Sequence, residues 1–583
     1  MTRNAILHHC LLTLSILFLP IASAQAAPNV VLILVDDAGL MDFGGYGGEA
    51  MTPNINQLAD RGIRFSHYHT TPLCSTSRAM LMTGRDNHRV GVGTIPEVLH
   101  ENQQGSSAYA SRLQPGIETI ASTLQQAGYT TYMTGKWHLG NGPDDLPAKH
   151  GFNRSFVLDA SGADNWEQKT FMPLYDDADW FEDDKPARLP NDFYSSRFIV
   201  QKMIDYLEAR DPGQPFFSYL SFQAVHIPVQ APQRFTQNYK DVYAAGWKVL
   251  REQRIARARQ LGLLPTGALP PEPHPMLRAW SALTEEEQHH YETSMMVNAG
   301  MLEAMDHEIG RFVEYLQAQG EIDNTVFVIT SDNGPEFNDP VTSPLFRIWM
   351  ANNGYHTDIA RAGEQGYMGA IGPEWASVAA VPGSLFKMYA SEGGLRVPLI
   401  FAGPGINAHR GFNDAFTFAT DIAPTIAELT GNEMAGDIQG VSLVPVLKGD
   451  VAAPRDAGEP VLLEVAGSAA LFKGDYKLVR NSLPHGDAIW RLHNIKDDPA
   501  ERQDLSASKP ALASELHKNY LELAALFGVV ELPDDFDVQA QITRNTAAHW
   551  LGKNRVLPGV LVAIVLLLLI FAVRTVLRRK TAI

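Results

Sequence analysis

Three short apolar runs without alternation punctuate this chain, and each ends in polar residues. Residues 29–35 read Asn-Val-Val-Leu-Ile-Leu-Val and pass into Asp36 and Asp37. Residues 215–222, Pro-Phe-Phe-Ser-Tyr-Leu-Ser-Phe, lead to His226-Ile227-Pro228. Residues 325–330, Thr-Val-Phe-Val-Ile-Thr, pass into Ser331-Asp332-Asn333-Gly334. Continuous runs of this length predict strands buried on both faces, as in parallel sheets covered by helices. A further strand is predicted at 129–133, delivering Gly135-Lys136-Trp137-His138-Leu139-Gly140. Lys136 and His138 alternate, so an extended backbone points both to one side.

Helical signals lie between these runs. Thr52-Pro53-Asn54 starts a helix through Leu58 and Ala59, and residues 117–127 read as a helix stopped by Gly128. Thr284 and Glu287 form a capping-box pattern. After it, Met296, Ala299, Leu302, Met305, Ile309, Phe312, Val313 and Leu316 recur at helical spacing as far as Gly320. Residues 152–180 are rich in aromatics, Asp and Gly without period and read as a loop beside the pocket, and 235–283 read as an excursion. Beyond residue 445 the texture changes to short strands at 461–465, 470–473, 476–479 and 489–492, followed by a helix at 511–527. The expected fold is α/β, with a large mixed, mostly parallel sheet flanked by helices over 28–445. A small C-terminal α+β subdomain follows over 446–540, and 541–555 is expected as a linker.

The two ends carry longer apolar runs. Arg3 precedes apolar residues 11–21, and Ala22-Ser23-Ala24 or Ala24-Gln25-Ala26 offers small residues for cleavage. Residues 1–26 therefore read as a secretory signal peptide, with a retained anchor as the alternative. Residues 556–573 are uncharged. At ~1.5 Å rise per residue they reach roughly 27 Å, barely enough for a transmembrane helix. Arg574, Arg578, Arg579 and Lys580 then make 574–583 a cytoplasmic tail. The expectation is an extracytoplasmic (periplasmic or secretory-side) domain anchored to a membrane by that C-terminal helix.

Acidic residues outnumber basic ones, 65 to 47, for a formal charge of -18. No basic field exists for nucleic acid, and a long polyanionic substrate is disfavoured. Cys10 falls in the leader, so a mature chain carries Cys74 alone and forms no internal disulfide.

Asp36, Asp37, Asp332 and Asn333 stand at the carboxyl ends of predicted strands, where ligands of open α/β sheets gather. They offer only oxygen, which suits a hard cation: Ca²⁺ first, with Mg²⁺ or Mn²⁺ as alternatives. Neighbouring carboxylates repel each other, and a cation relieves that. Cys74 by itself fits a buried small hydrophobe or a thiol nucleophile paired with a distant histidine.

Cys74-Ser75-Thr76-Ser77-Arg78, continuing to Thr83-Gly84-Arg85, resembles the signature of type I (formylglycine-dependent) sulfatases, C-x-P/A-S-R followed by T/L-G-R; Thr76 replaces the usual Pro or Ala. Gly135-Lys136-Trp137-His138, the histidine of His226-Ile227-Pro228, and Lys387 ahead of Glu392-Gly393-Gly394-Leu395-Arg396-Val397-Pro398 extend the resemblance. Gly403-Pro404-Gly405 and Asp421-Ile422-Ala423-Pro424-Thr425 complete it over roughly residues 29–505. The order of blocks is similar to bacterial arylsulfatases of the alkaline phosphatase superfamily.

The resemblance implies an alkaline-phosphatase-like fold and hydrolysis of a small-molecule aryl or alkyl sulfate ester. It implies that a formylglycine-generating or sulfatase-maturing enzyme oxidises Cys74 to formylglycine (3-oxoalanine). One hydroxyl of the aldehyde hydrate then attacks sulfur, leaving a covalent sulfo-enzyme. By the same resemblance, Asp36, Asp37, Asp332, Asn333 and residue 74 hold calcium, Arg78 stabilises the hydrate, and Lys136 bridges hydrate and sulfate. His226 and Lys387 contact the sulfate and protonate the leaving oxygen, and His138 takes the proton whose loss ejects sulfate. Two other readings stay open: a phosphonate monoester hydrolase or phosphodiesterase with the same formylglycine chemistry, and an unmodified, inactive membrane-tethered homologue.

Overall fold

The computed structural model describes residues 27–407 and 411–553. Its main sheet has ten strands: β1 (Asn29–Val35), β2 (Gly62–Phe65), β3 (Thr130–Lys136), β4 (Arg154–Leu158), β5 (Trp180–Glu182), β6 (Lys185–Pro186), β7 (Phe216–Ser221), β8 (Thr325–Ser331), β9 (Leu399–Ala402) and β10 (Phe412–Asn413). They lie in the order β10-β2-β9-β8-β1-β7-β3-β4-β5-β6. The run β8-β1-β7-β3-β4 is parallel, and β9 and β5 are antiparallel to their inner neighbours, so the sheet is mixed and mostly parallel at its centre. The three apolar runs are thus adjacent central strands. Their register sets Leu34 beside Ser221 and Val35 beside Ser331, so the polar residues that follow emerge side by side.

Alternate side chains of β1 enter two cores. Val31, Ile33 and Val35 pack with Ile199 and Met203 of a helix at Ser195–Glu208 and with Met305, Ile309 and Phe312 of the long helix Glu285–Ala318. The capping box predicted for that long helix forms, with Thr284 accepting from the Glu287 amide. Val30, Leu32 and Leu34 face Met80, Leu81 and Met82 of α1 (Cys74–Thr83), together with Ile422 and Ile426. Covering both faces is why these strands show no polar alternation.

The C-terminal subdomain is an antiparallel sheet of four strands, Val461–Val465, Ser468–Lys473, Tyr476–Arg480 and Arg491–Asn494. The helix Pro510–Phe527 lays Leu516, Tyr520 and Ala524 on it.

Three expectations are corrected. The aromatic-rich run 152–180, expected as loop, contains β4, which extends the parallel sheet. Residues 541–553, expected as part of a linker, belong to a helix, α2 (Val538–Lys553). That helix docks through amides: Asn545 Nδ2 donates to the carbonyls of Pro96, Glu97 and Leu99 at 3.1, 3.0 and 3.0 Å, and Gln541 Nε2 to Leu99 at 3.1 Å. Such anchoring leaves no apolar stripe for a periodicity search to find. The C-terminal transmembrane helix is not part of this fold: among the described residues no helix is long and apolar enough to cross a membrane. The 34-residue helix Glu285–Ala318 has the length but carries charges throughout. Residues 556–573, the tail 574–583 and the leader 1–26 lie outside the described residues.

Buried ion pairs clamp the subdomain to the main sheet. Lys477 Nζ lies 2.9 Å from Glu392 and 2.8 Å from Glu501, and His69 reaches Glu392 at 2.8 Å. His88 sits between Asp86 and Glu464, 3.0 Å from each. Burial opposes its charge, but Asp86 and Glu464 outweigh burial and push it up from 6.5 to about 9. A folded-state value above the unfolded one stabilises fully below pH 6.5, and that stabilisation is lost as pH rises through 9. Thermal scans should therefore show the melting temperature falling between about pH 6.5 and 9, with the slope flattened in His88→Gln. An unchanged slope in the variant would show that this clamp does not carry the effect.

Candidate active site

The carboxyl ends of β1 and β8 and the first turn of α1 meet at one point. Leu73 is extended, and the helix begins at Cys74 and closes on Gly84, whose φ of 66° forms the left-handed cap. Hydroxyls pin the first turn. Thr76 Oγ1 donates to the Leu73 carbonyl at 2.9 Å, the Thr71 amide donates to Ser77 Oγ at 3.0 Å, and Ser75 Oγ donates to the His138 carbonyl at 2.7 Å. Thr76 is thus accommodated by a hydrogen bond of its own. Cys74 is 2% exposed, and its Sγ lies 3.8 Å from Asp37 Oδ1.

Around that sulfur, buried carboxylates and cations interlock. Arg78 donates from Nε to Asp332 Oδ2 at 2.9 Å, and its Nη2 lies 2.7 Å from the same oxygen and 3.6 Å from Asp36. Its Nη1 reaches the Lys136 carbonyl at 2.8 Å and Ser221 Oγ at 2.6 Å. Lys136 Nζ contacts Asp36 Oδ2 at 2.6 Å. Lys387 Nζ lies 2.7 Å from Asp37 and 3.0 Å from Glu336. Burial, then the Asp332 charge, raises Asp36; burial pushes Asp37 up to about 7, more than Lys387 pulls it down. Burial acts on Asp332 as well, yet Arg78, Lys136 and Lys387 hold it below the usual carboxylate value. For Lys387 burial is outweighed by Asp37 and its neighbours, and the ammonium is held well above its ordinary value.

This donor set suits a hard cation. Asp36 Oδ1, Asp37 Oδ2 and Asn333 Oδ1 are buried oxygens without a hydrogen-bond partner. Ligand atoms from Asp36, Asp37, Cys74 and Asp332 lie within 4.8 Å of one another. Carboxylate and amide oxygens are the ligands such ions choose. Asn333 here turns Nδ2 to Asp37 Oδ1 at 2.6 Å; the two orientations of such an amide differ only in which atom faces inward. The cluster can therefore bind a metal ion.

The remaining candidate site residues, His226 and His138, come to the same place. His226 donates from Nδ1 to the Ile227 carbonyl at 2.6 Å, which leaves Nε2 towards the site, 3.9 Å from Asp37. His138 has a left-handed backbone (φ 55°), and neither ring nitrogen has a partner. Burial, then Lys136, holds both imidazoles well below the ordinary histidine value. Beyond His138 a cavity of about 400 Å³ opens, lined also by Ser75 and Tyr175. Glu336 and Ser221 were not among the expected site residues. Glu336 follows Asn333 by only three positions but belongs to no motif, and Ser221 is marked by nothing but its place at a strand end. Helix α2 was missed as well; its His549 lines the cavity.

Comparison with known proteins identifies the family. The profile of the Sulfatase family matches residues 28–432, and that of the N-sulphoglucosamine sulphohydrolase C-terminal region matches 383–525. An uncharacterised sulfatase of Schizosaccharomyces pombe is 34% identical over 539 residues, covering 87% of this chain and 95% of its own length. An arylsulfatase of Klebsiella aerogenes is 33% identical over 440 residues, 73% of this chain and 91% of the relative. A structure solved in complex with its substrate D-glucosamine-2-N,6-O-disulfate superposes with a TM-score of 0.57 at 24% identity, covering 87% of this chain and 99% of that one. At that identity the likeness concerns the fold. With a family match across well over half its length, this chain belongs to the sulfatase family and is a sulfuric ester hydrolase.

Proposed function

We propose that this chain hydrolyses aryl or alkyl sulfate esters by formylglycine chemistry at Cys74. The observation that carries the reading is the set of three buried cationic side chains, Arg78, Lys136 and Lys387, fixed by carboxylates around one cysteine. Burial pushes the Cys74 thiol well above its ordinary value, so an unmodified cysteine stays protonated and nucleophilically weak. That favours the aldehyde, formed by a maturing enzyme, whose hydrate supplies an oxygen nucleophile for sulfur. A divalent cation, Ca²⁺ by preference, would be held by Asp36, Asp37, Asp332, Asn333 and residue 74, and supplies Lewis-acid charge to the sulfate.

The remaining work falls to side chains. Arg78 spans Asp332, Asp36 and the Lys136 carbonyl, so its guanidinium cannot swing away, and it holds the hydrate of residue 74 in place. Lys136 and Lys387 present fixed positive charge to the sulfate oxygens, where charge shifts in the transition state. His226, with Nδ1–H engaged by Ile227, turns Nε2 towards the leaving oxygen; Nε2 becomes its proton donor once the negative charge of the bound sulfate has protonated the ring, and Lys387 beside it is held protonated. His138, whose ring nitrogens are free and whose carbonyl is tied to Ser75 next to Cys74, takes a proton in the later step that releases sulfate.

Mass spectrometry of the peptide containing Cys74 should find 3-oxoalanine in active protein. A free thiol in fully active material would rule out the route.

Chelation should abolish turnover and lower the melting temperature, because the carboxylates lose their counter-charge, and Ca²⁺ should restore both. A metal-free protein that keeps its rate and its melting temperature would remove the metal assignment.

The two histidines separate in a leaving-group series. Proton donation contributes about 10²–10⁴-fold and matters most for poor leaving groups. His226→Ala should therefore harm alkyl sulfates far more than nitrophenyl sulfate. His138→Ala should slow all esters to one limiting rate after a burst of released phenol. Equal losses across the series for His226→Ala, or no burst for His138→Ala, would reverse the assignments.

A further inference from the structure

Outward from His138 the wall of the cavity is acidic. Asp159, Asp176, Asp177 and Asp179 line it. The basic groups of that wall are already engaged: Arg112 lies 3.1 Å from Asp145, and His549 on α2 lies 2.8 Å from Asp176. Among the described residues no basic side chain pairs with Asp159 or Asp179, and Asp179 Oδ1 accepts only from Gln168 Nε2 at 3.3 Å; burial and the Asp179 charge push the Asp159 carboxyl up to about 7. At the inner end stands His138, 8% exposed, with both ring nitrogens unpaired. A buried imidazole left without a partner costs free energy, and a ligand in the cavity completes it.

We propose that this cavity receives the alcohol portion of the sulfate ester and selects small alcohols that bear a positive charge, with an ammonium group seated between Asp159 and Asp179. The inference rests on the sulfate-ester reading above and names its substrate class. Such an ester is a dipole: its sulfate meets Arg78, Lys136 and Lys387, and its cationic end meets the acidic wall. Tyr175 adds an aromatic ring to the same wall, a surface that attracts ammonium groups. A volume of about 400 Å³ accepts a small molecule rather than a polymer. A polysulfated chain would bring further negative charge against the aspartates and a protein of formal charge -18.

The test compares 2-(trimethylammonio)ethyl sulfate with 3,3-dimethylbutyl sulfate, which match in shape and differ by one fixed charge. For the full chain, kcat/KM should favour the cationic ester by about tenfold or more. Asp159→Asn and Asp179→Asn should each reduce that ratio, and the double variant should bring it close to one. A wild-type ratio of one or below, or a ratio unchanged in a double variant with unaltered melting temperature, would overturn the inference while leaving sulfate-ester hydrolysis intact. Calorimetric titration with the two free alcohols gives a readout that does not need turnover. Binding of the cationic alcohol alone supports the site even in a preparation that cleaves no sulfate ester, which would count against the functional reading instead. Equal binding of the two alcohols, or none of the cationic one, counts against the site.

Discussion

The rest of this architecture depends on holding Asp36, Asp37 and Asp332 together where water does not reach. Each is essentially fully buried. Desolvating carboxylates side by side is costly, and removing one partner of a buried pair leaves a charge with no compensation. The chain meets that constraint with register and with countercharge. Parallel pairing of β1 with β8 places Val35 opposite Ser331, so the next residues of the two strands cannot avoid each other. Arg78 and Lys136 then arrive from α1 and β3, elements whose own packing is fixed by the apolar faces of the sheet.

The loops over this centre are shaped by close backbone approach. A Cβ on Gly334 would fall 2.0 Å from the Gly393 carbonyl oxygen, and one on Gly394 would fall 2.2 Å from that of Tyr389. The Gly334 amide donates to the Gly394 carbonyl at 2.9 Å. Only glycines let the segment bearing Asn333 lie directly on the segment that follows Lys387. Glu392, in the same turn, is gripped by Lys477 and His69, so the small sheet steadies the loop that carries the site lysine.

Much of this was legible before any coordinates. The unbroken apolar runs announced the central strands, and the Asp-ended strands announced where the site would lie, because pattern and position follow from burial and from the geometry of parallel sheets. His138, His226 and Lys387 were legible only through resemblance, since a lone histidine or lysine has no local signal. Glu336 and Ser221 escaped because their roles come from distant partners, Lys387 and Arg78, which no window of sequence contains. Helix α2 escaped because its amides do much of the holding, and Val538 and Ile542 alone reach the main core, too few to mark a stripe.

The long sequence separations inside the site have a consequence for how the chain is made. Arg78 and its partner Asp332 are 254 residues apart. At about 5–20 residues per second, a ribosome needs roughly 13–50 s to pass from one to the other. Through that interval the Cys74 segment has left the peptidyl-transferase centre while the strand that will bury it does not yet exist. Any reagent that has to reach the Cys74 sulfur meets it as open chain during elongation and finds it closed once β8 has docked.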